Sequence, residues 1–342
     1  MIEILIPLIL SSCGMISLRN SAVNPYSLSF KQLVFTIIGI TLTFGIMNAS
    51  TETFKKLSGR LFVISFVLLF LTTIPGIGIK VGGARRWLGI GGTRIQPLEI
   101  ALFTLPIFMA DRLTDKTSTM LRGNFHSFVR PTLMLIISFG VPLMLQPNLG
   151  GTIIVAAICF VMHIERRGWK WPLRGLIIGV LLVSFFILIA PYRMRRFNAF
   201  MDPWQDPTDR GFQIIPAIGE EFGLIGTLFI IILYAVWTWR VYYIYRDAKT
   251  PFTKSLALGL TASTIFPMFI NVAGVTKLMP LSGIPMPFIS AGGSSMVFNW
   301  IKVGLLLAIK RENNLKVTRK KLKKNLNLNS EEEQENNEQI EK

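Results

Sequence analysis

The sequence predicts an all-α polytopic membrane protein of about ten transmembrane helices with both termini in the cytoplasm. Three observations carry this reading. Hydrophobic residues make up 51% of the 342 and charged residues 16%, with a mean hydropathy of +0.50, outside the range of ordinary soluble domains. The apolar residues gather in runs close to the ~20 that a helix needs to cross the hydrocarbon core. Basic residues cluster in alternate connections between those runs, as the positive-inside rule requires.

The runs lie near 2–18, 31–49, 60–79, 97–110, 128–146, 150–164, 172–191, 221–244, 254–276 and 292–310. The first carries Glu3 and no basic leader, so it reads as a span and not as a signal peptide. The fourth and sixth are short and flanked by Pro97 and Gly150, the pattern of tilted or broken helices beside a cavity. With both ends inside, the inner connections hold Lys55, Lys56 and Arg60, then Arg112, Lys116, Arg122 and Arg130, then Arg166, Arg167, Lys170 and Arg174, then Arg240, Arg246, Lys249 and Lys254. Residues 1–311 form the membrane domain. Residues 312–342 form a cytoplasmic tail, first basic (KVTRKKLKKN, suited to an anionic leaflet) and then acidic (SEEEQENNEQIEK), whose composition predicts disorder. No internal repeat is visible.

Two outer connections break the charge rule. One holds Lys80, Arg85, Arg86 and Arg94, and the other Arg193, Arg195, Arg196 and Arg210. Topology gives no reason for basic residues on that face, whereas an anionic ligand does, because guanidinium groups bind phosphate oxygens two at a time. The simpler alternative is that they face water and headgroups. The stretch Lys80–Glu99 adds Trp87 and five glycines to three arginines and a lysine, and reads as a loop that grips a phosphate-bearing lipid headgroup.

Other chemistries find no support. Cys13 and Cys159 fall inside apolar runs and read as packing residues, with neither a disulfide framework nor a thiolate site. His126 and His163 are too few and too scattered for a metal centre. A net charge of +17 in a membrane protein serves topology and anionic lipid, so no nucleic acid is expected. There is no Walker lysine and no Ser-His-Asp arrangement.

Four stretches in order, GGARRWLGIGGTRIQPLE from Gly82, QPNLGGT from Gln146, PYRMRRFNAFMDPWQDP from Pro191 and PLSGIPMPFISAGGSS from Pro280, resemble motifs of the SEDS (shape, elongation, division and sporulation) family. IGEEFGLIG, from Ile218, is similar to that family's acidic segment at the opening of the eighth span. The resemblance runs from the first span to Arg311 and is nearer to the FtsW division branch than to the RodA elongation branch. It implies a peptidoglycan glycosyltransferase in the bacterial inner membrane, at the division septum, that polymerises lipid II. It also implies an undecaprenyl-pyrophosphate-linked glycan, a class B penicillin-binding transpeptidase and other division proteins as partners.

Several positions depart from the family pattern. Leu98 and Leu102 stand where a serine and a lysine are expected near Glu99, so a polar partner for that carboxylate is missing. Asn148 replaces an aspartate and Ala291 a tyrosine. After Gly211–Gln213 the family continues for a few dozen residues, ending in an acidic residue taken as the catalytic base; here Ile214 follows at once, and that segment with its aspartate is absent.

The implied reaction sets two tasks. A hydroxyl of the acceptor sugar attacks the anomeric carbon of the donor with inversion, its proton passing to a base, and charge develops on the departing pyrophosphate. Arg85, Arg86, Arg193, Arg195 and Arg196 are the candidates for pyrophosphate, with Trp87 and Gln96 beside them and Ser290, Gly292, Gly293, Ser294 and Ser295 as a backbone nest for an anion. Close helix crossing is the alternative for the glycines and serines, and interfacial anchoring for Trp87 and Trp204. Glu99, Glu220 and Glu221 are the candidate catalytic carboxylates; helix-dipole stabilisation near an N-terminus is the alternative for each. Asp202, Asp206 and Asp209, among prolines, read as turn residues. A divalent cation, Mg or Mn, is the further expected neutraliser, with no readable ligand set. Two other functions stay open: a lipid II transporter using the outward arginines, and a non-catalytic division scaffold lacking the base.

Overall fold

The structure is a computed structural model that describes residues 1–21, 25–81, 84–90, 93–114, 136–146, 148–169, 173, 214–276, 278 and 283–340. Within them run α1 (Ile2–Ser21), α2 (Pro25–Ile46), α3 (Thr51–Leu71), three strands β1 (Gly78–Val81), β2 (Ala84–Ile90) and β3 (Thr93–Ile95), and α4 (Pro97–Thr114). A π-helical turn, Ile136–Gly140, then leads into α5 (Val141–Leu145), followed by α6 (Leu149–Arg167), α7 (Ile214–Arg246), α8 (Pro251–Val275) and α9 (Gly293–Ile340). Five helices among the described residues, α1, α2, α6, α7 and α8, are long and apolar enough to cross a membrane on length and composition. The expected fifth span is only partly within the described residues, and the seventh lies outside them apart from Leu173.

At the centre stands α4, buried along almost its whole length and packed against α3, α6, α8 and α9. Of the two forms expected for the fourth span, tilted or broken, the second does not occur, since α4 is continuous over 18 residues. Pro97 sits in its first turn, where a missing N–H leaves no helical bond unmade. Close approach is secured by small residues. A Cβ on Gly259 of α8 would fall 2.9 Å from Pro106 Cβ on α4 and 2.6 Å from the Met162 sulfur on α6. Phe62 of α3 stacks on Phe108 of α4 with ring centroids 4.1 Å apart.

The contacts separate two ends. At one, Lys310 Nζ meets buried Glu3 at 2.7 Å, Glu312 accepts from Thr51 N and Oγ1 at 2.8 and 2.7 Å, and Asn313 accepts from Lys249 N at 3.2 Å. At the other lie the sheet, the turn at Gln146 and the loop before α9. Both the start of α1 and the end of the tenth span therefore belong to the first end, which the loop charges identify as cytoplasmic.

Two further expectations change. The stretch Lys80–Glu99 is not a plain loop. It contributes to a three-stranded antiparallel sheet, β1-β2-β3, in which Val81 pairs with Ala84 and Ile90 with Thr93. The helix α9 continues to Ile340 through the segment for which composition predicted disorder. Lys, Leu, Glu, Gln and Arg are good helix formers, and a backbone already helical at Arg311 needs no new nucleus.

Candidate functional site

The outer sheet supplies the basic residues. On β1 and β2, Lys80 stands directly opposite Arg85, while Ile79 pairs with Trp87; the register slips between these pairs, leaving Arg86 as the extra residue of a β-bulge. Bulges re-aim side chains out of the plain alternation of a strand. Arg86 is half-buried, and its Nε donates to the Gln146 carbonyl at 3.5 Å. Its guanidinium also lies beside Gly283, where a Cβ would meet it in ordinary contact at 3.5 Å, so the backbone at φ +65° and not lack of space is what calls for glycine there. Arg85 and Trp87 are half-buried, and Arg94 is exposed.

Gln146 anchors this corner. It is 2% exposed, and its Nε2 donates to the Leu69 carbonyl at 2.9 Å and to Thr72 Oγ1 at 2.6 Å, tying the turn to the end of α3. Asn148, the departure from the family aspartate, caps α6: its Oδ1 accepts from Gly151 N at 3.1 Å. Its Nδ2 and the Gln96 Oε1 are buried without a hydrogen-bond partner among the described residues, which leaves both with bonding capacity to spare.

The loop preceding α9 closes the other side. Phe288 holds φ at +64°, a strained value for an aromatic residue. Its ring is fixed between Trp237 and Trp300, at centroid distances of 6.2 and 5.9 Å. Ser290 Oγ accepts from Met286 N at 2.7 Å, and a Cβ on Gly293 would enter the Phe35 ring of α2. Ser290 and Gly293 thus serve the loop and the helix contact. Ser294 Oγ accepts from Gln96 N at 3.1 Å, and the neighbouring Ser295, buried like Glu99, acts on that carboxylate through its hydroxyl. Gly292 joins the turn through its N–H to the Ser290 carbonyl, at 2.8 Å.

Glu99, 2% exposed, has a polar environment after all, which corrects the inference drawn from Leu102. Besides Ser295 it feels the charge of Lys302, from α9, a residue the sequence reading passed over. Lys302 is 1% exposed and donates to Asn299 Oδ1 and to the Ser263 carbonyl, both at 3.2 Å. Its signal in the sequence was a lone lysine inside the apolar run FNWIKVGLLLAI. Among the described residues no cluster of three carboxylate, imidazole or thiol groups comes together, and the ammonium near Glu99 opposes a cation there. His163 and Cys159 share one helix turn, with His163 Nδ1 2.7 Å from the Cys159 carbonyl.

Glu220 and Glu221 lie on α7, which begins at Ile214, so they stand nearly two turns inside the helix and do not open it. The dipole effect expected at an opening turn fades by there. Arg193, Arg195, Arg196 and Arg210, with Asp202, Asp206, Asp209 and Trp204, lie outside the described residues, as does His126.

The sequence matches the family of FtsW, RodA and SpoVE cell cycle proteins in two pieces, residues 2–218 and 214–315. The break falls beside Gln213 and Ile214, where the segment expected from the family resemblance is absent. Stage V sporulation protein E of Bacillus subtilis is 30% identical, over 90% of this chain and 96% of that protein. Its alignment spans 357 residues, more than the 342 of this chain, so the relative carries residues with no counterpart here. A probable peptidoglycan glycosyltransferase FtsW of Pasteurella multocida is 29% identical over 85% of this chain and 83% of its own length. Among solved structures, a chain of a peptidoglycan synthase complex that coordinates polymerization and crosslinking superposes with a TM-score of 0.77 at 25% identity, covering 91% of this chain and 97% of that one. The rod shape determining protein RodA of Thermus thermophilus gives 0.74 at 25% identity, covering 91% and 96%. With sequence match, curated relatives and fold in agreement, this membrane-spanning chain belongs to the FtsW, RodA and SpoVE family of cell cycle proteins.

Proposed function

We propose that the chain is a peptidoglycan glycosyltransferase that polymerises lipid II in septal cell-wall synthesis, with a class B transpeptidase as partner. The observation that carries this reading is the pairing of Lys80 with Arg85 across β1 and β2, beside Arg86. Like charges directly opposite on one sheet face repel, and among the described residues no carboxylate forms a salt bridge with either. A bound diphosphate turns that repulsion into attraction. The relatives named peptidoglycan glycosyltransferases and the synthase-complex neighbour support the reading.

In this account Arg85 and Arg86 neutralise the pyrophosphate as the bond to the anomeric carbon breaks, with Arg193, Arg195 and Arg196 of the second outer loop as their partners. Trp87 offers a face to a sugar ring, and Gln96 and Asn148 offer the unsatisfied polar atoms. The acceptor hydroxyl loses its proton to a carboxylate on the outer side; Glu220 or Glu221, in the first turns of α7, is the candidate. A divalent cation, Mg or Mn, is the further expected neutraliser of that charge; among the described residues no ligand cluster for it comes together.

The missing segment after Gln213 favours a second reading, a division scaffold that keeps the bundle and lacks the base. Incubating the purified protein and its transpeptidase partner with labelled lipid II separates the readings. Glycan strands support the polymerase. Partner binding without strands supports the scaffold, and label crossing sealed vesicles without strands supports a transporter.

A further inference from the structure

We propose that Lys302 is a positioning residue for the site: a counter-charge to Glu99, delivered through a line of hydrogen bonds from the tenth span to the fourth. The starting point is cost. An ammonium buried within a membrane bundle is strongly unfavourable unless hydrogen bonds and an opposite charge compensate it. Lys302 lies nine residues into α9, and a helical side chain leans toward the N-terminus of its own helix, here toward the outer end.

From that ammonium the donors run in one direction. Lys302 Nζ donates to Asn299 Oδ1 at 3.2 Å, Asn299 Nδ2 donates to Ser295 Oγ at 3.2 Å and to the Ser295 carbonyl at 2.8 Å, and the Ser295 hydroxyl in turn acts on the buried Glu99 carboxylate. Residues 295, 299 and 302 share one face of α9, and all four side chains are 1–2% exposed. A positive charge at one end and a negative charge at the other align the amide and hydroxyl dipoles between them, and each link strengthens the next. With Lys302 removed, Asn299 Oδ1 loses its donor and the Glu99 carboxylate loses its counter-charge.

The line ends against the arginine-bearing sheet. Glu99 stands in the first turn of α4, directly after Gln96, whose N–H is held by Ser294. Gln96 in turn follows β3, which pairs with the arginine strand β2. Lys302 therefore fixes where α9, α4 and the sheet meet, without touching a ligand there. Its effect on rate rests on the polymerase reading; the pairing itself is measured separately.

The test uses the full-length protein in lipid nanodiscs, as wild type, Lys302→Met, Lys302→Arg, Glu99→Gln and Glu99→Gln/Lys302→Met. Three readouts apply: thermal unfolding, infrared spectroscopy of carboxyl groups, and lipid II polymerisation with the transpeptidase partner. A buried carboxylate deprived of its counter-charge takes up a proton. Lys302→Met then shows a carboxylic-acid C=O stretch that wild type, Lys302→Arg and the double variant lack. The double variant loses less thermal stability than the two single losses combined, and kcat falls about tenfold to a hundredfold in Lys302→Met with a smaller change in KM. Additive stability losses with no new carboxyl band overturn the proposal. Should Lys302→Met not fold, the double variant decides, because removal of both charges restores folding on this account and leaves it equally impaired otherwise. A wild type that makes no glycan strands overturns the polymerase reading, while the band and the unfolding cycle still decide the pairing.

Discussion

Lys80 and Arg85 facing each other across two strands, with Arg86 in a bulge beside them, raise the energy of the free sheet and lower it when an anion binds. That residue-level asymmetry is what a site for a phosphate-bearing substrate requires. The proton-accepting group is a separate question, and the aspartate of the family segment is absent from this chain. Glu220 and Glu221 remain on the outer half of α7. Replacing both by glutamine is expected to lower the kcat of polymerisation about a hundredfold or more, with lipid II affinity retained, as loss of a general base does; turnover and binding assays on the same preparation check this. Glu99 was legible as an ionisable residue at a helix start, but its partner was not. Lys302 is 203 positions further on in the chain, and spacing within a helix says nothing about pairs that tertiary packing creates. The lysine expected in Glu99's own helix, at Leu102, is absent, and the lysine whose charge acts on Glu99 comes from α9.

At the scale of elements, the helices were legible because apolar run length alone predicts a span. The sheet was legible in principle. Gly82-Gly83 and Gly91-Gly92 are two-residue Gly-Gly connections, separating short alternating segments, which is a hairpin signal; the basic residues between them point instead to a loop that grips a headgroup. What sequence does not show is which helix is central. That role falls to α4, because Gly259 lets α8 close onto both Pro106 and Met162. Gly259→Leu is therefore expected to destabilise the bundle by about 1–3 kcal/mol or more, as overpacking does, seen as a lower unfolding temperature in detergent. Gly45, where a Cβ meets nothing, is the control and tolerates alanine with little change.

For the whole molecule, the structure gathers at one end three of the four motif stretches that the sequence separates by up to two hundred residues: the sheet with Arg86, the turn at Gln146, and the loop from Gly283 to Ser295. The opposite end is closed by Glu3, Thr51, Lys249 and the residues around Glu312. Among the described residues Lys80 and Arg85 of the sheet form no salt bridge with a carboxylate, whereas at the other end Lys310 is paired with Glu3 at 2.7 Å. On the proposed reading the charge of the sheet is compensated by the substrate. The most direct test of that claim is the affinity of the purified protein for lipid II in wild type and in Arg85→Ala/Arg86→Ala, compared at fixed salt. The account predicts a loss of about tenfold to a hundredfold or more, the range for removing charge-assisted hydrogen bonds. An unchanged affinity in a folded double variant would contradict it.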